Sequence, residues 1–289
     1  MWFWYALLSA LVSAVSIILN KKALKNINAS LVSWSLFSFS IPFLIYPALK
    51  DGWPKLNTIF LFATLASVIT FTYAKTLSLR SLKNSLISEI IPLSFFGVFF
   101  QYIFGLIFLS ESLGMLPLVG LFLIITGGYL LKVEEAKEDI LKPFKLLITN
   151  KSSFFYMIAM IMMSLATVFD KTALINIEPV NQSFYLLIGN MITTLLLSIY
   201  LTKQDRNWIK DLKTNFWTLL LNGIAFTVLS LLFLYGITTG AVALVSGVKK
   251  LEVFFVLIIG WLLFGDKPKR GVWIGSLIML IGVILIKLG

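Results

Sequence analysis

Apolar residues fall into ten long runs, approximately 2–20, 30–49, 57–77, 84–109, 114–132, 153–170, 181–201, 215–236, 241–264 and 271–288. Each is roughly 17–25 residues, enough at 1.5 Å per residue to cross the ~30 Å hydrocarbon layer of a bilayer as a helix. Segments this apolar have no polar face to offer water, so the pattern predicts an all-α integral membrane protein with ten transmembrane helices. Met1 to Leu19 has no basic leader and no small-residue cleavage site ahead of a soluble domain, and reads as the first span. The connectors are short except Lys132 to Lys151, which mixes both signs of charge and carries Pro143. It reads as a solvated linker with room for an amphipathic turn.

The two halves repeat. A shift of 150 residues lays Asn20–Leu36 on Asp170–Leu186 with seven identities in seventeen positions, among them Lys21/Lys171, Ala23/Ala173, Leu24/Leu174 and Asn26/Asn176. Chance would give about one at average residue frequencies. A shift of 155 pairs Phe99/Phe254, Gly105/Gly260, Gly120/Gly275 and Gly127/Gly282, with Glu111 facing Asp266. The division is 1–132 for the first five-helix repeat, 133–152 for the linker and 153–289 for the second. An odd number of spans per unit inverts the second copy in the membrane, which gives the inverted repeat common among transporters.

The chain is 59% hydrophobic and 13% charged, against about a quarter charged for a soluble domain. It has no cysteine and no histidine, which excludes disulfides, thiolate metal sites, Ser-His-Asp triads and histidine-ligated zinc. No G-x-x-x-x-G-K-[ST] loop is present, so no nucleotide is expected to drive it, and no cofactor or metal is expected. The net charge of +11 sits in short segments between spans, as at a membrane surface, and does not point to nucleic acid. By connector, eighteen Lys and Arg fall on one side of the membrane and four on the other. The positive-inside rule then puts both termini outside.

An acidic residue ends the fourth span of each unit (FLSES at Glu111, LFGDK at Asp266), a glycine-patterned fifth span follows (Gly120, Gly127, Gly128; Gly275, Gly282), and a lysine ends each first span (Lys21, Lys171). In this arrangement the chain resembles the drug/metabolite transporter superfamily, in particular its EamA-type branch. The resemblance implies ten helices around a central cavity and, against the charge count, both termini in the cytoplasm.

Ionisable residues inside spans cost about 2.5–3.5 kcal/mol each at a helix centre, and so tend to face cavities. The densest group is Lys249, Lys250 and Glu252 in the ninth run. On a continuous helix Lys249 and Glu252 share a face and can pair, while Lys250 points about 100° away. Gly247 is the expected point of loosening. The alternatives for the group are a substrate or coupling-ion site, a structural ion-pair network, or snorkelling. In the sugar-phosphate translocators and other branches of the superfamily, an adjacent basic pair here is associated with anionic substrates. Lys249-Lys250 resembles it, with Lys where Arg is common second and Glu252 where Pro or a small residue is common.

In the fourth run Lys83, Glu89, Pro92 and Gln101 are polar or breaking, and Glu89 is either a protonatable carboxylate or a plain ion-pair partner of Lys83 or Lys250. Tyr73, Tyr235, Asn190 and Asn222 either line the path or bond a neighbouring helix. Lys21, Asp170 and Lys171 mark cavity mouths or plain helix ends, and Lys22, Lys75 and Lys83 are counted with the mouth. Most glycines are expected to pack helices. The reading is a secondary active transporter of a small polar metabolite, anionic or amino-acid-like, in the plasma membrane as a monomer or homodimer. Proton, ion or exchange coupling is expected. The alternatives are a flippase for a lipid-linked phosphate, a membrane-embedded enzyme and a passive channel.

Overall fold

The computed structural model describes residues 1–25, 27–84, 91–135, 141–204, 208–264 and 270–289. Glu89 and Asp266 lie outside these, as does the side chain of Lys21. The helices are α1 (Trp2–Leu24), α2 (Ala29–Ser38), α3 (Ile41–Leu49), α4 (Thr58–Lys83), α5 (Phe96–Leu109) and α6 (Met115–Glu135). After the connector come α7 (Lys142–Thr149), α8 (Lys151–Leu174), α9 (Gln182–Gln204), α10 (Trp208–Thr214), α11 (Phe216–Thr239), α12 (Val242–Lys249), α13 (Glu252–Phe264) and α14 (Arg270–Leu288). A tight 3₁₀ turn, Ile91–Phe95, precedes α5, and two-residue strands β1 (Lys55–Leu56) and β2 (Ile177–Glu178) pair antiparallel.

Among the described residues, six segments are long and apolar enough to cross a membrane: Trp2–Leu24, Ala29–Leu49, Thr58–Lys83, Lys151–Leu174, Gln182–Lys203 and Phe216–Thr239. Leu93–Leu109, Met115–Leu130 and Trp273–Leu288 are shorter apolar helices. Side chains such as Phe62, Ile69, Ile107 and Leu195 stand exposed on the outside of the bundle, where lipid replaces water as their solvent. The chain is an all-α, multi-pass membrane protein.

Asparagines start several of these helices. The side chains of Asn28, Asn57, Asn150 and Asn181 accept from the backbone N–H of Ser30, Phe60, Ser152 and Phe184, meeting donors that a first turn leaves unpaired.

Small residues bring helices together where lipid offers no hydrophobic driving force. On α1, Ala6, Ala10 and Ala14 recur every four residues, all with 0% exposure, on a helix that packs against α11. Helix α6 packs along α14, where a Cβ on Gly120 would lie 2.5 Å from the Gly282 carbonyl oxygen and one on Gly127 would lie 2.7 Å from that of Gly275. Real Cβ atoms do not approach backbone so closely. Helices α4 and α8 also pack together, as do α3 and α9.

The ninth run is not one helix. Lys250 N–H donates to the carbonyls of Ser246 (3.2 Å) and Gly247 (3.0 Å), Leu251 to Val248 (3.1 Å) and Val253 to Lys250 (3.2 Å). This tightening to 3₁₀ geometry ends α12 and restarts the chain as α13. The break lies at 250–251 and not at Gly247, which stays helical and leaves room for Leu121 of α6, 2.7 Å from where its Cβ would be. The fourth run, where Pro92 is a breaking residue, likewise carries the 3₁₀ turn Ile91–Phe95.

Replacing Gly120 by Val is expected to destabilise the purified protein by about 1–3 kcal/mol, the usual overpacking cost. It would appear as a lowered thermal midpoint in detergent. Gly52→Asn is expected to change little, since Gly52 has a left-handed φ of +83° that asparagine tolerates and open space around it.

Candidate functional site

A cavity of about 830 Å³ lies between the helices, lined from α1, α2, α4, α5 and the 3₁₀ turn before it, α8, α9, α11 and both sides of the ninth-run break. Its lining reaches Leu24, Lys25, Leu82 and Lys83 at the C-terminal ends of α1 and α4. In the other direction it stops at Asp170, Tyr185 and Leu234, short of the segments that close the bundle there.

Helical spacing aims the lining. On α4, Ser67, Phe71, Lys75, Leu79 and Lys83 recur every fourth residue and all face the cavity. On α8 the inward face runs from Tyr156 through Ser164 and Thr167 to Asp170, and on α1 it includes Ser13, Ser16 and Asn20.

Beyond Lys25 and Lys83 at its mouth, the chamber is lined by Lys75, Lys249 and Lys250. Lys250 Nζ lies 3.9 Å from Glu252 Oε1 and 5.5 Å from the centre of the Phe95 ring. Lys249 Nζ sits 4.8 Å over Phe233, and Lys75 Nζ 6.0 Å from the centre of Phe226. Aromatic faces attract cations where water is scarce. Phe95 is itself fixed by Gly128, where a Cβ would lie 2.0 Å from the ring. The two broken runs therefore meet at the Lys250–Phe95 contact. The carboxylate of Glu252 also accepts from the Ser13 hydroxyl, and the Ser246 hydroxyl is buried and has no partner among the described residues.

The expected Lys249–Glu252 pair is replaced by Lys250–Glu252, because the break turns the chain between them and leaves Lys249 to its aromatic ring. Gln101 lines the cavity and donates to Thr167 (3.3 Å), and Asn190 lines it and donates to Ser40 (2.6 Å). Asn20 and Asn222 are bonded across the α1–α11 seam at 2.8 Å. Asp170 is no mouth residue. It lies at the deep end, one carboxylate oxygen accepting from Tyr185 Oη (2.5 Å) and from Ser67.

Tyr73 and Tyr235 do not join the group. Tyr73 is 60% exposed on the outer side of α4, and Tyr235, 38% exposed, stacks on Tyr5. Neither lines the cavity. A lone polar residue in an apolar run does not fix the helix's rotation, so such a tyrosine sits as readily toward lipid. Lys75 is the reverse case. The apolar run fades at 77 while α4 continues to Lys83, which carries Lys75 inside; the four-residue spacing of Ser67, Phe71 and Lys75 is the sequence signal for it.

The opposite end is closed by contacts between segments far apart in sequence. Lys171 Nζ is 2.6 Å from Glu111 Oε1 and 2.8 Å from the Gly240 carbonyl oxygen, and Glu111 Oε2 accepts from Val242 N–H at 2.9 Å. Glu111 is presented by Ser110, whose left-handed φ of +54° ends α5, and by Gly105, where a Cβ would lie 3.0 Å from the carboxylate. One carboxylate thus caps α12 while holding α8. The β1–β2 bridge, Asn57 to Asn176 (3.0 Å) and Asn181 to the Ala48 carbonyl (3.0 Å) complete the closure.

With both side chains at 15% exposure or less, removing one partner leaves a charge stranded. Lys171→Ala or Glu111→Ala alone is expected to cost about 3–5 kcal/mol, and the double variant less than the sum of the two. Thermal unfolding of the four proteins in detergent measures the coupling.

No curated protein matches the chain. A solved structure described as "Crystal structure of protein" resembles it with a TM-score of 0.72 and 12% identity, covering 98% of this chain and 96% of that one, a likeness of fold alone. The model of the EamA-like transporter family matches residues 1–133 and 150–288. Given nearly the whole chain matched, the apolar helices and the central cavity, this protein belongs to the EamA-like transporter family and is a multi-pass membrane transporter of the drug/metabolite type.

Proposed function

We propose that this chain is a secondary active transporter that moves a small polar, negatively charged or amino-acid-like metabolite by alternating access. The observation that carries the reading is the chamber's charge: among the described residues Lys25, Lys75, Lys83, Lys249 and Lys250 line it against two carboxylates, Asp170 and Glu252, of which Glu252 pairs with Lys250. In a low-dielectric span, a surplus cation is stabilised by an anion that arrives as cargo. The unpartnered Ser246 hydroxyl offers such a ligand a hydrogen bond.

Alternating access rests on two inverted units, 1–132 and 153–289, joined by the linker 133–152. Supporting this, the contacts obey the repeat. Under the 155 shift Gly120 corresponds to Gly275 and Gly127 to Gly282, and the close approaches are Gly120 with Gly282 and Gly127 with Gly275. Likewise Ser40 and Asn190, equivalent under the 150 shift, bond each other, and Phe95 and Lys250, equivalent under the 155 shift, are in contact. A chain with this symmetry has two opposed conformations of similar energy. The plasma membrane is the proposed location.

A thermal-shift panel of sugar phosphates, dicarboxylates and amino acids on purified protein tests the site. A ligand at a hundred times its Kd is expected to stabilise the parent by about 2.7 kcal/mol. Lys250→Ala and Lys75→Ala are expected to lose most of that shift, and unchanged shifts in both would refute the assignment. In liposomes the same ligand is expected to enter saturably, driven by a gradient or a counter-substrate. Uptake linear in concentration and indifferent to both would mark a channel, and stabilisation by lipid-linked phosphates alone would mark a flippase.

A further inference from the structure

We propose that Asp170 is the ion-coupling carboxylate of this transporter, taking a proton from the open chamber before the protein switches to its opposite-facing state. The inference rests on the transport reading above and adds the group that couples it.

Among the described residues, the chamber and the clamp at its closed end hold the carboxylates of Glu252, Asp170 and Glu111. Glu111 is paired with Lys171 and Glu252 with Lys250. Among the described residues, Asp170 has no cation within 4.0 Å and is held by the hydroxyls of Ser67 and Tyr185 alone, both on the same oxygen. Its second oxygen is left to accept a proton.

The surrounding elements supply no cation to neutralise it. Lys171, next on α8, points about 100° away and is committed to Glu111 and the Gly240 carbonyl. On α4, Lys75 is eight residues beyond Ser67, about 12 Å along the helix. Lys249 and Lys250 from the ninth-run break line the same chamber with Glu252, but their nearest partners are Phe233, Phe95 and Glu252 itself. Helix α9 offers Tyr185 and the neutral Asn190 and Thr193, α5 the neutral Gln101, and α11 only apolar side chains and Ser230 to the chamber; Tyr156 is at the far end of α8.

Chamber water is therefore what tolerates the charge. In the opposite-facing state the chamber narrows on its present side, and Asp170 must cross a stage in which that water is withdrawn. An unpaired charge held in the membrane disfavours such a stage on the order of a hundredfold, and a proton on the free oxygen removes the penalty. The proton arrives from the open side as H⁺ from water and leaves when the other side hydrates, so one proton crosses per switch. Asp170 also adjoins the Lys171–Glu111 clamp, so the helix that senses the proton is the one that holds the closed end. Under the 150 shift the equivalent position is Asn20, an amide bonded to Asn222 that cannot titrate. That neutral counterpart indicates that an amide fits such a place.

The test uses the full chain in lipid nanodiscs with the proton as probe. Acid-minus-neutral infrared difference spectra are expected to contain a protonated-carboxyl C=O band that is lost in Asp170→Asn and kept in Glu252→Gln. The cysteine-free chain also permits a single reporter, Ala243→Cys, buried at the closed end beside Val242. Its labelling by a hydrophilic thiol reagent, normalised for thiol ionisation, is expected to rise on the order of tenfold with acid in the parent. In Asp170→Asn it is expected to be high at every pH, and Asp170→Glu is expected to restore the pH response. A band and a labelling profile unchanged in Asp170→Asn would overturn the proposal. If that variant fails to assemble, Asp170→Glu decides, since its band shifts in frequency when Asp170 is the titrating group and stays put otherwise. None of these readouts needs a substrate, so failure of the metabolite screen leaves them intact and the reverse also holds.

Discussion

Holding charge away from water inside a bilayer is the constraint around which this protein is arranged. Every ionised group placed within a span has to be paired, stacked on an aromatic face or kept beside water, because the hydrocarbon supplies nothing in return. Lys171 and Glu111 take the first course, Lys249 and Lys75 the second, and Asp170 the third. The cavity exists because these groups cannot be packed against lipid, and the closed end exists because one buried pair joins segments from both halves of the chain.

The helix breaks serve the same constraint. A continuous ninth helix would point Lys249 and Lys250 in directions about 100° apart, one of them toward neighbouring apolar side chains. Tightening the ladder at 250–251 lets both line the chamber and sets Lys250 between Glu252 and Phe95. Around this polar centre the scaffold is bare of side chains where it must be, with Gly120 and Gly127 of α6 against the backbone of α14 and Gly128 under Phe95.

Much of this was legible in the residues because lipid enforces a coarse code. Ten runs of span length, a lysine pair inside one of them and glycines at matched spacing in the two halves are visible without coordinates. The membrane class, the family and the placement of Lys249, Lys250, Glu252, Gln101 and Asn190 around one cavity follow that code. What was not legible depends on helix rotation and on where a helix outlasts its apolar run. Tyr73 and Tyr235 turned outward, Lys75 was carried inward by six further residues of α4, and Asp170, read as a cavity mouth or a plain helix end, lies at the deep end beside hydroxyls from α4 and α9. Partner choice across a break is equally hidden, as the Lys250–Glu252 pair illustrates.

The central claim is that the two ends of the cavity open alternately. Pulsed electron-spin distance measurements test it most directly, with spin labels on single cysteine pairs in the cysteine-free chain. One pair, at Lys22 and Lys151, spans the mouth, and the other, at Ile175 and Leu288, spans the closed end. Across pH and membrane composition, the account predicts that the population with a lengthened closed-end distance grows in step with one having a shortened mouth distance. A closed end that lengthens while the mouth stays wide, leaving a continuous path, would contradict it.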